Sequence, residues 1–446
     1  MFDSVLVANR GEIARRVIRT ARKMGLRAIA VYSEADAELP HVQEADEALL
    51  IGPAQAARSY LDMDAVIGAA RRSGAAAVHP GYGFLAENAE FARRVGGEGL
   101  VWVGPPPPAI EQMGDKINAR NLMEDAGVPV AAGTREPVPD ADAAAAEAAR
   151  IGYPVMVKAA GGGGGIGMSA AHDEQQLRAA FETASTSADR FFGNPAILLE
   201  RYTQPARHVE VQILGLADGR VVALGERDCS VQRRHQKVAE ETPSPGVSTA
   251  LRTRMLESAI RAGEAVGYRG AGTVECLVDP AAQEFAFLEM NTRLQVEHPV
   301  TELVTGIDLV EQQFLIAAGE PVSFDPTSAS PRGHALELRI YAEDPRRFMP
   351  SPGKITEWAE PEGPGVRVDA GYGTGTTVTP FYDPLLAKLC VHGTDRADAL
   401  RRAVAAVQEF RVTGPKTNLP FHAELLANPE FASGNYDTGL VGRMRS

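Results

Sequence analysis

Glu289–His298 is the stretch of this chain in which groups able to do chemistry lie closest together. It contains two carboxylates, an asparagine amide and a guanidinium. The apolar run Phe285–Leu288 leads into it, and Gly272–Asp279 is a second strand candidate upstream. A turn that contains proline separates the two runs, so the pattern predicts a β-hairpin.

The pairing of this hairpin decides its chemistry. A turn centred near Ala282 puts Glu275 opposite Glu289. Asn291 and Arg293 share the face of Glu289, because side chains alternate along a strand. Opposed like charges destabilise a sheet, and hard oxygen ligands suit Mg²⁺ or Mn²⁺. A solvent face with ordinary charges is the alternative, but the neighbouring Leu, Phe and Val residues favour burial. The hairpin therefore predicts a metal site, provided that its register does not slip.

A second candidate site follows the predicted strand Tyr153–Lys158. The next residues, Ala159–Gly167, contain five consecutive glycines. Glycines let a loop approach a ligand closely and offer backbone N–H groups to phosphate. The loop is not of the Walker A type, since no Gly-Lys-Ser/Thr follows. A flexible linker is the alternative, but the preceding lysine and the compact strands on both sides favour a loop that covers phosphate.

Length and charge limit the classes of protein to which the chain can belong. Its 446 residues suggest two or three domains. A net charge of −13 argues against a nucleic-acid partner, which needs a basic surface. Cys229, Cys276 and Cys390 are too few for a disulfide framework and predict a reducing, cytoplasmic location. No apolar run approaches the ~20 residues of a membrane helix, and the N-terminus predicts no signal peptide.

The N-terminal part predicts a parallel sheet. Ser4–Ala8 is typical of a buried strand, Ile13–Met24 of an amphipathic helix and Arg27–Tyr32 of a second strand, which together form a βαβ unit. Two loops that follow strands, Asn9–Glu12 and His79–Glu87, lie where open α/β sheets bind ligands. The fingerprint G-x-G-x-x-G is absent after the first strand, so this domain is predicted to be Rossmann-like without NAD chemistry.

The remainder of the chain lies beyond a predicted domain boundary near Gly104–Pro108. The densest basic cluster, Arg227–Lys237, is predicted to bind an anionic substrate, and a solvated charged loop is the alternative. The other predicted elements are helices over 61–73, 115–125, 134–150 and 398–410, strands over 75–79, 195–200, 207–214, 221–226 and 334–340, and short antiparallel strands over 347–375.

Several motifs form a set that extends from the first strand nearly to the C-terminus. They are Val7–Ala14, His79–Leu85, Met113–Lys116, the glycine loop, Glu226–Ser230, Gln232–Lys237 and Glu289–Pro299. Together they resemble the biotin carboxylases, the ATP-grasp component of biotin-dependent acyl-CoA carboxylases.

The resemblance implies an α/β and α+β fold in three parts. These are a Rossmann-like pre-ATP-grasp domain over residues 1–113, an ATP-grasp core over 114–330 with a mobile lid at about 132–203, and a C-terminal β-rich biotin carboxylase domain over 331–446. The reaction that it implies has two steps. ATP phosphorylates bicarbonate to carboxyphosphate, and the CO₂ released from this carboxylates N1 of biotin on a carrier protein.

The resemblance also assigns roles to residues around the hairpin. Glu275, Glu289 and Asn291 match the ligands of two Mg²⁺ or Mn²⁺ ions that bridge the phosphates. Glu297 matches the general base. The bicarbonate-binding residues are Lys237, Arg293, Gln295, Val296 and Glu297.

The remaining assignments concern ATP and biotin. Arg339 matches the group that stabilises the biotin enolate, and His79 and Tyr82 are expected to complete the biotin site. The expected catalytic residues are Glu297, Arg339, Arg293 and Lys237. The expected ATP-binding residues are Lys116, Lys158, Gly163, Gly164, Gly165, Glu200, His208, Gln232, His235 and Leu277.

Two positions depart from the family pattern. The glycine loop usually contains Arg or Lys where this chain has Ile166. We expect weaker lid closure, or compensation elsewhere, rather than loss of activity. The position after Glu-Arg-Tyr is commonly Leu and is Thr203 here, so the packing around adenine is expected to differ.

The expected partners follow from the sequence and the resemblance. No Met-Lys-Met-type turn for biotinylation is present. A biotin carboxyl carrier protein and a carboxyltransferase are therefore expected as separate chains, and a longer native protein with its own carrier domain is the alternative. The family suggests a homodimer. Phe381–Lys388 resembles propionyl- and methylcrotonyl-type carboxylases slightly more than the bacterial acetyl-CoA type.

Two other functions stay open. One is a different ATP-grasp ligase that activates a carboxylate for attack by an amine, with carboxylation of urea or guanidine as a nearer variant. The other is a nucleotide-sensing regulatory subunit that binds ATP without turnover, and Ile166 is its only support.

Overall fold

The computed structural model describes residues 1–159, 168–192, 195–327 and 330–445. No helix in these ranges combines the length and apolar character needed to cross a membrane. The helices described are α1 (Gly11–Lys23), α2 (Pro40–Glu44), α3 (Met63–Ser73), α4 (Ala89–Gly97), α5 (Pro107–Gly114), α6 (Lys116–Asp125), α7 (Ala141–Ile151), α8 (Glu174–Phe192), α9 (Thr249–Ala265), α10 (His298–Thr305), α11 (Leu309–Ala317), α12 (Arg396–Glu409), α13 (Leu419–Ala427), α14 (Pro429–Ser433) and α15 (Leu440–Arg445).

The strands are β1 (Ser4–Val7), β2 (Arg27–Ser33), β3 (Glu47–Gly52), β4 (Ala77–His79), β5 (Val101–Trp102), β6 (Val155–Ala159), β7 (Met168–Ala171), β8 (Ile197–Arg201), β9 (Arg207–Gly215), β10 (Val221–Arg233), β11 (Gln236–Thr242), β12 (Gly270–Asp279), β13 (Glu284–Asn291), β14 (His334–Tyr341), β15 (Gly353–Lys354), β16 (Glu357–Ala359), β17 (Val366–Ala370), β18 (Thr377–Val378), β19 (Leu385–Gly393) and β20 (Arg411–Thr413).

The N-terminal sheet is parallel, with the strand order β3-β2-β1-β4-β5. Its central strand β1 is buried at every residue and is connected to β2 by α1, so the predicted βαβ unit and Rossmann-like sheet are confirmed. Asn9 follows β1 and donates hydrogen bonds from Nδ2 to the carbonyls of Pro80 at 2.7 Å and Tyr82 at 2.8 Å. The two predicted ligand loops are therefore joined to each other.

The largest sheet has eight strands in the order β13-β12-β9-β10-β11-β14-β19-β17, and its neighbouring strands are antiparallel. Apolar and polar residues alternate along β9, but all of its residues are buried. Its polar side chains include Glu210, which pairs with the buried Arg227 at 2.6 Å. The second face of β9 therefore contacts a buried network of charges instead of solvent.

A smaller sheet, β7-β6-β8, forms a unit with α7 and α8. It has its own apolar core, to which Val157, Leu177 and Leu199 belong. Lys158 lies near the end of β6 and Glu200 near the end of β8. This unit therefore presents a cation and a carboxylate from paired strands.

The C-terminal part completes the large sheet. After β14, strands β17 and β19 extend it, and α12 packs against β14 and β19 with α13 beside it. The short sheets β15-β18 and β16-β20 lie between these elements in the chain. The predicted short antiparallel strands of this region are therefore confirmed.

Helix α7 begins after its predicted start at Thr134. Pro137 and Pro139 cannot donate the N–H of a continued helix, and the residue between them pairs with β8. Asp140 then caps α7, because its side chain accepts a hydrogen bond from a backbone N–H of the first turn at 2.8 Å. The alanine-rich composition predicts the helix correctly but not its first residue.

The basic cluster Arg227–Lys237 forms part of two paired strands, so it is not the solvated charged loop of the alternative interpretation. β10 and β11 extend through it and are joined by a turn at Arg234 and His235, whose φ angles are 49° and 68°. Two central residues with positive φ are typical of a tight hairpin turn. Arg227 is fully buried, whereas the later residues of the cluster line a cleft beside the sheet. Only part of this cluster is therefore available to a substrate.

Candidate active site

The acidic hairpin β12–β13 has the predicted pairing. Glu275 lies opposite Glu289, and Thr273 lies opposite Asn291. A β-bulge next to the Glu275–Glu289 pair leaves Leu288 without a partner on β12. In the register that holds nearer the turn, Leu288 would face Glu275. The bulge therefore brings the two carboxylates opposite each other.

Glu275, Glu289 and Asn291 line one cleft and fit a divalent metal. Glu275 is buried, whereas the side chain of Glu289 is 41% exposed. Burial and the charge of Glu275 raise the pKa of Glu289. A divalent cation between the two groups would relieve this repulsion, and carboxylate and amide oxygens are the ligands that Mg²⁺ and Mn²⁺ take. The predicted metal site stays a prediction, which this set of ligands supports.

Glu297 directly precedes α10, is fully buried and is held by two cations. Lys237 Nζ lies 2.7 Å from its Oε1, and Arg339 Nη2 lies 2.9 Å from its Oε2. Burial alone would raise the pKa of Glu297, but the charges of Lys237 and Arg339 outweigh it and hold the pKa well below its ordinary value. The carboxylate is therefore ionised.

Lys237 connects this carboxylate to the acidic hairpin. Its Nζ also lies 2.6 Å from Glu210 Oε2 and 2.8 Å from Glu275 Oε1. Burial alone would lower the pKa of Lys237, but the surrounding anionic groups raise it well above its ordinary value. One lysine therefore bridges a candidate metal ligand and the candidate base.

Arg293 organises the segment between β13 and α10. Its Nε donates a hydrogen bond to Glu87 Oε2 at 2.8 Å. Its Nη2 donates to Asn291 Oδ1 at 3.1 Å, and its Nη1 donates to Gln295 Oε1 at 2.8 Å. Gln295 in turn donates from Nε2 to Glu275 Oε1 at 3.0 Å. The guanidinium is thus fixed beside the candidate metal ligands.

Val296 lines the same cleft, and a buried lysine holds its backbone. Lys388 is completely buried and donates a hydrogen bond from Nζ to the carbonyl of Val296 at 3.1 Å. The same Nζ lies 2.9 Å from Glu12 Oε2. Lys388 therefore restrains the segment that carries Glu297.

Two adjoining cavities form the cleft. One, of about 350 Å³, contains the acidic hairpin and the cations around Glu297. The other, of about 530 Å³, extends along the β6–β8 sheet and contains Leu277 and Thr203. The residues that line both are Lys158, Met168, Glu200, His208, Gln232, His235, Phe287 and Leu288.

Polar side chains pair with one another where the two cavities meet. Lys158 and Glu200 form a close ion pair between β6 and β8. His208 Nε2 lies 2.8 Å from Glu275 Oε2, and Gln232 Nε2 lies 2.7 Å from His208 Nδ1. The acidic hairpin therefore adjoins the larger cavity.

Most of the predicted site residues lie together in this cleft. Gly163, Gly164, Gly165 and Ile166 lie outside the described residues. Glu297 lies behind the lining and contacts it through Lys237 and Arg339. The predicted residues found in the lining are Lys116, Lys158, Glu200, His208, Gln232, His235, Lys237, Glu275, Leu277, Glu289, Asn291, Arg293, Gln295, Val296 and Arg339.

His79 and Tyr82 are not among the residues that line either cavity, and their part in binding biotin stays a prediction. The His79 ring is fully buried. Its Nε2 lies 3.1 Å from Gln313 Oε1, and its Nδ1 accepts a hydrogen bond from the Gly81 N–H at 2.9 Å. Burial lowers the pKa of His79 to about 4. Tyr82 is half-buried and donates a hydrogen bond to Glu12. Both side chains therefore stabilise the loop after β4.

Two buried carboxylates that pair with cations of the site have no role in the predictions from the sequence. Glu210 contacts Lys237 and Arg227, and Glu240 contacts Arg339. The strand of Glu240 is mostly polar and gives no signal in the sequence, whereas Glu210 lies between two valines of a predicted strand. Such a residue needs a buried cation as its partner.

Family models match three successive parts of the chain. "Biotin carboxylase, N-terminal domain" matches residues 1–110, "Carbamoyl-phosphate synthase L chain, ATP binding domain" matches residues 115–324, and "Biotin carboxylase C-terminal domain" matches residues 337–443. The central match, together with the acidic hairpin and its cleft, defines an ATP-grasp enzyme. The two flanking matches narrow the class: the chain belongs to the biotin carboxylase family.

Curated relatives and solved structures agree with this family. "Biotin carboxylase 2" of Bacillus subtilis is 50% identical over 441 residues, which cover 99% of each chain. The "Propionyl-CoA carboxylase alpha chain" of Ruegeria pomeroyi is 47% identical over 99% of this chain and 68% of its own length. A crystal structure of a Campylobacter jejuni biotin carboxylase complex has a TM-score of 0.96 at 44% identity, covering 99% of both chains.

A further solved structure contains ligands. It is the biotin carboxylase domain dimer of Hydrogenobacter thermophilus 2-oxoglutarate carboxylase, in complex with MgADP, ADP and bicarbonate. It has a TM-score of 0.94 at 41% identity and covers 99% of this chain and 98% of its own.

Proposed function

We propose that this chain catalyses the ATP-dependent carboxylation of biotin with bicarbonate, giving N1-carboxybiotin, ADP and phosphate. The observation that carries the proposal is the ionised Glu297 between Lys237 and Arg339, next to the Glu275–Glu289 pair. This arrangement combines a place for metal and triphosphate with a place for a small anion that must lose a proton. Neither part alone would distinguish this reaction from that of other ATP-dependent ligases.

ATP occupies the two adjoining cavities in this proposal. Lys116 and Lys158 bind its phosphates, and Glu200 accepts a hydrogen bond from the adenine amino group. Binding exchanges the Lys158–Glu200 ion pair for contacts with opposite ends of the nucleotide. Glu275, Glu289 and Asn291 hold Mg²⁺ or Mn²⁺, which neutralises phosphate charge during transfer. The other ATP-binding residues of the proposal are Gly163, Gly164, Gly165, His208, Gln232, His235 and Leu277.

Bicarbonate binds between the cations and the backbone near Val296. Lys237 and Arg293 supply the positive charge, and both already lie beside the acidic hairpin. When Lys237 turns from Glu297 to the anion, the carboxylate loses part of the field that depresses its pKa. Glu297 then becomes a stronger base at the moment when bicarbonate must lose its proton.

Biotin binds next to Arg339. The guanidinium stabilises the negative charge that develops on the ureido oxygen when N1 loses its proton. Arg339 is fixed by ion pairs on a central strand of the large sheet, so its geometry needs little reorganisation. His79 and Tyr82 complete the proposed biotin site from the end of β4 and the loop after it, where the buried His79 ring accepts a hydrogen bond from the Gly81 N–H.

The assembly that we propose is a homodimer that works with a separate carrier protein and a separate carboxyltransferase. Relatives named as a pyruvate carboxylase subunit and as a propionyl-CoA carboxylase chain support a role as one component of a larger carboxylase. Three buried free cysteines are consistent with a reducing cytoplasm. The three proposed domains are residues 1–113, 114–330 and 331–446, with the β6–β8 unit as part of a lid at about 132–203.

Phosphate release with and without bicarbonate and free biotin tests the proposal. We expect release that depends on bicarbonate, rises with biotin and transfers labelled carbon from bicarbonate to biotin. Transfer to urea or an amine instead would identify another ATP-grasp ligase. ATP binding by calorimetry with no phosphate release under any of these conditions would identify a regulatory subunit. Either result would contradict the proposal.

A further inference from the structure

One nitrogen of Arg339 is shared by two carboxylates. Its Nη2 lies 2.9 Å from Glu297 Oε2 and 2.5 Å from Glu240 Oε1. Arg339 lines the cleft, whereas Glu240 lies in β11, 1% exposed, and is not among the residues that line the cleft. The guanidinium therefore has one partner next to the substrate site and a second partner in the protein interior.

A second buried carboxyl group faces Glu240. Glu337 of β14 lies directly opposite it in the β11–β14 ladder. Burial and the nearby charge of Glu240 raise the pKa of Glu337 well above its ordinary value, although Lys388 and Arg339 oppose this. Cys390 Sγ donates to Glu337 Oε2 at 3.4 Å. Among the described residues, the ion pairs of Arg339 are with Glu240 and Glu297, so Glu240 is the member of the β11–β14 carboxyl pair that contacts the guanidinium.

The charge of Glu240 depends on neighbours from four parts of the chain. Lys237 lies on its own strand, Cys229 lies on β10, Glu297 precedes α10, and β14 contributes Glu337, Arg339 and Tyr341. Burial raises the pKa of Glu240 to about 7, because Arg339 offsets only part of the desolvation and Glu297 adds repulsion. Glu240 is therefore mostly charged above neutral pH and mostly neutral below it.

We propose that Glu240 is a positioning residue for Arg339, the counter-ion that the guanidinium keeps when it leaves Glu297 for the ureido oxygen of biotin. Without a fixed partner, Arg339 would have to give up its only carboxylate to reach the substrate. With Glu240 in place, the guanidinium exchanges one partner while it keeps the other, and its position relative to the cleft is retained. This inference deepens the proposed function and rests on it.

The experiment compares Glu240→Gln with the matched control Glu337→Gln. Both changes replace a buried carboxyl group by an amide of the same shape in the same ladder. We expect Glu240→Gln to raise KM for free biotin by about tenfold at pH 8 while KM for ATP stays within about twofold. Glu337 forms no ion pair with Arg339 among the described residues, so Glu337→Gln should leave both constants within about twofold of the wild type.

The pH dependence of KM for biotin provides a readout that a merely structural role would not change. In the wild type, KM for biotin should rise as the pH falls through about 7, because Glu240 becomes protonated. In Glu240→Gln this rise should be absent, and KM should be high throughout. Equal pH profiles for the two proteins, or equal effects of the two amide variants, would overturn the inference.

Two further outcomes are decided in the same experiment. If Glu240→Gln does not fold, Glu240→Asp takes its place: it keeps the charge on a shorter side chain, so it should raise KM for biotin and retain the pH dependence. An unchanged KM in Glu240→Asp would overturn the inference. A wild-type protein without biotin-stimulated phosphate release would overturn the proposed function itself, and the inference with it.

Discussion

Lys237 Nζ lies 2.7 Å from Glu297 Oε1, so the candidate base and the candidate bicarbonate ligand are partners in this structure. This contact explains how the same carboxylate can be a weak base before bicarbonate binds and a stronger base afterwards. While Lys237 contacts it, the pKa of Glu297 is low and the group is a weak base. When Lys237 binds bicarbonate instead, basicity rises where the proton must be removed.

Glu297→Gln tests the base directly. The amide keeps the shape of the side chain but cannot accept a proton, so bicarbonate-dependent phosphate release should fall by about 10²–10⁴-fold. ATP binding, measured by calorimetry, should stay intact. Glu257→Gln on the exposed face of α9 is the control and should leave turnover unchanged. Normal turnover in Glu297→Gln would remove Glu297 as the base.

The acidic hairpin predicts a dependence on divalent metal. Chelation of Mg²⁺ should abolish phosphate release, and Mn²⁺ should restore it. Glu289→Gln should weaken Mn²⁺ binding in the presence of ADP by at least about tenfold, as measured by electron paramagnetic resonance. The side chain of Glu289 is 41% exposed, so this change should not disturb folding. Equal Mn²⁺ affinity in Glu289→Gln and in the surface control Asp218→Asn would contradict the metal site.

Lys388 should affect stability and bicarbonate binding together. Lys388→Met removes the donor to the Val296 carbonyl and leaves Glu12 without its buried cation. Removal of one partner from a buried ion pair costs about 3–5 kcal/mol of unfolding free energy, which urea denaturation would measure. KM for bicarbonate should rise, because the backbone beside Glu297 loses a restraint.

The control for Lys388→Met is Lys416→Met. Lys416 pairs with Asp344 at 2.8 Å, but its side chain is 67% exposed. Exposed pairs contribute at most about 1 kcal/mol. If the two variants had the same stability and the same KM for bicarbonate, Lys388 would have no role in positioning Val296.

The sequence predicts the pairing of Glu275 with Glu289, because alternation and a short turn determine which strand residues meet. It does not predict the bulge at Leu288, which holds that pairing in place, because a bulge depends on contacts with other strands. The motif around His79 indicates a loop that is shared with a family, but it does not predict that the ring is buried with both nitrogens hydrogen-bonded. Glu240 is missed because its partner lies in another strand, about a hundred residues away in the sequence.

Domain-level features are easier to predict than element ends. The parallel N-terminal sheet follows from a βαβ pattern, which can be recognised from residues that are close in the sequence. The basic cluster at Arg227 misleads, because charge density in a sequence does not distinguish a solvated loop from cations buried against carboxylates. The sequence does not show that acidic side chains on neighbouring strands lie beside these cations in the fold.

We expect Glu241, which lies away from the cleft, to make the stability of the folded protein sensitive to acid. Its carboxylate is fully buried and lies 2.6 Å from His334 Nε2 and 2.7 Å from Arg396 Nε, and it accepts a hydrogen bond from Tyr436 at 2.6 Å. Burial alone would raise the pKa of Glu241, but His334 and Arg396 outweigh it and lower the pKa from 4.5 to about 2.

A depressed pKa in the folded state means that the unfolded chain binds the proton more tightly. The contribution of Glu241 is therefore fully present above about pH 4.5 and is lost as the pH falls toward 2. The pKa difference corresponds to about 3 kcal/mol.

Urea unfolding at pH 6 and at pH 3 should show that Glu241→Gln destabilises the protein strongly at pH 6 and much less at pH 3. The control Glu257→Gln, at an exposed position of α9, should differ little from the wild type at either pH. A destabilisation by Glu241→Gln that is the same at both values would show that this carboxylate contributes through packing alone.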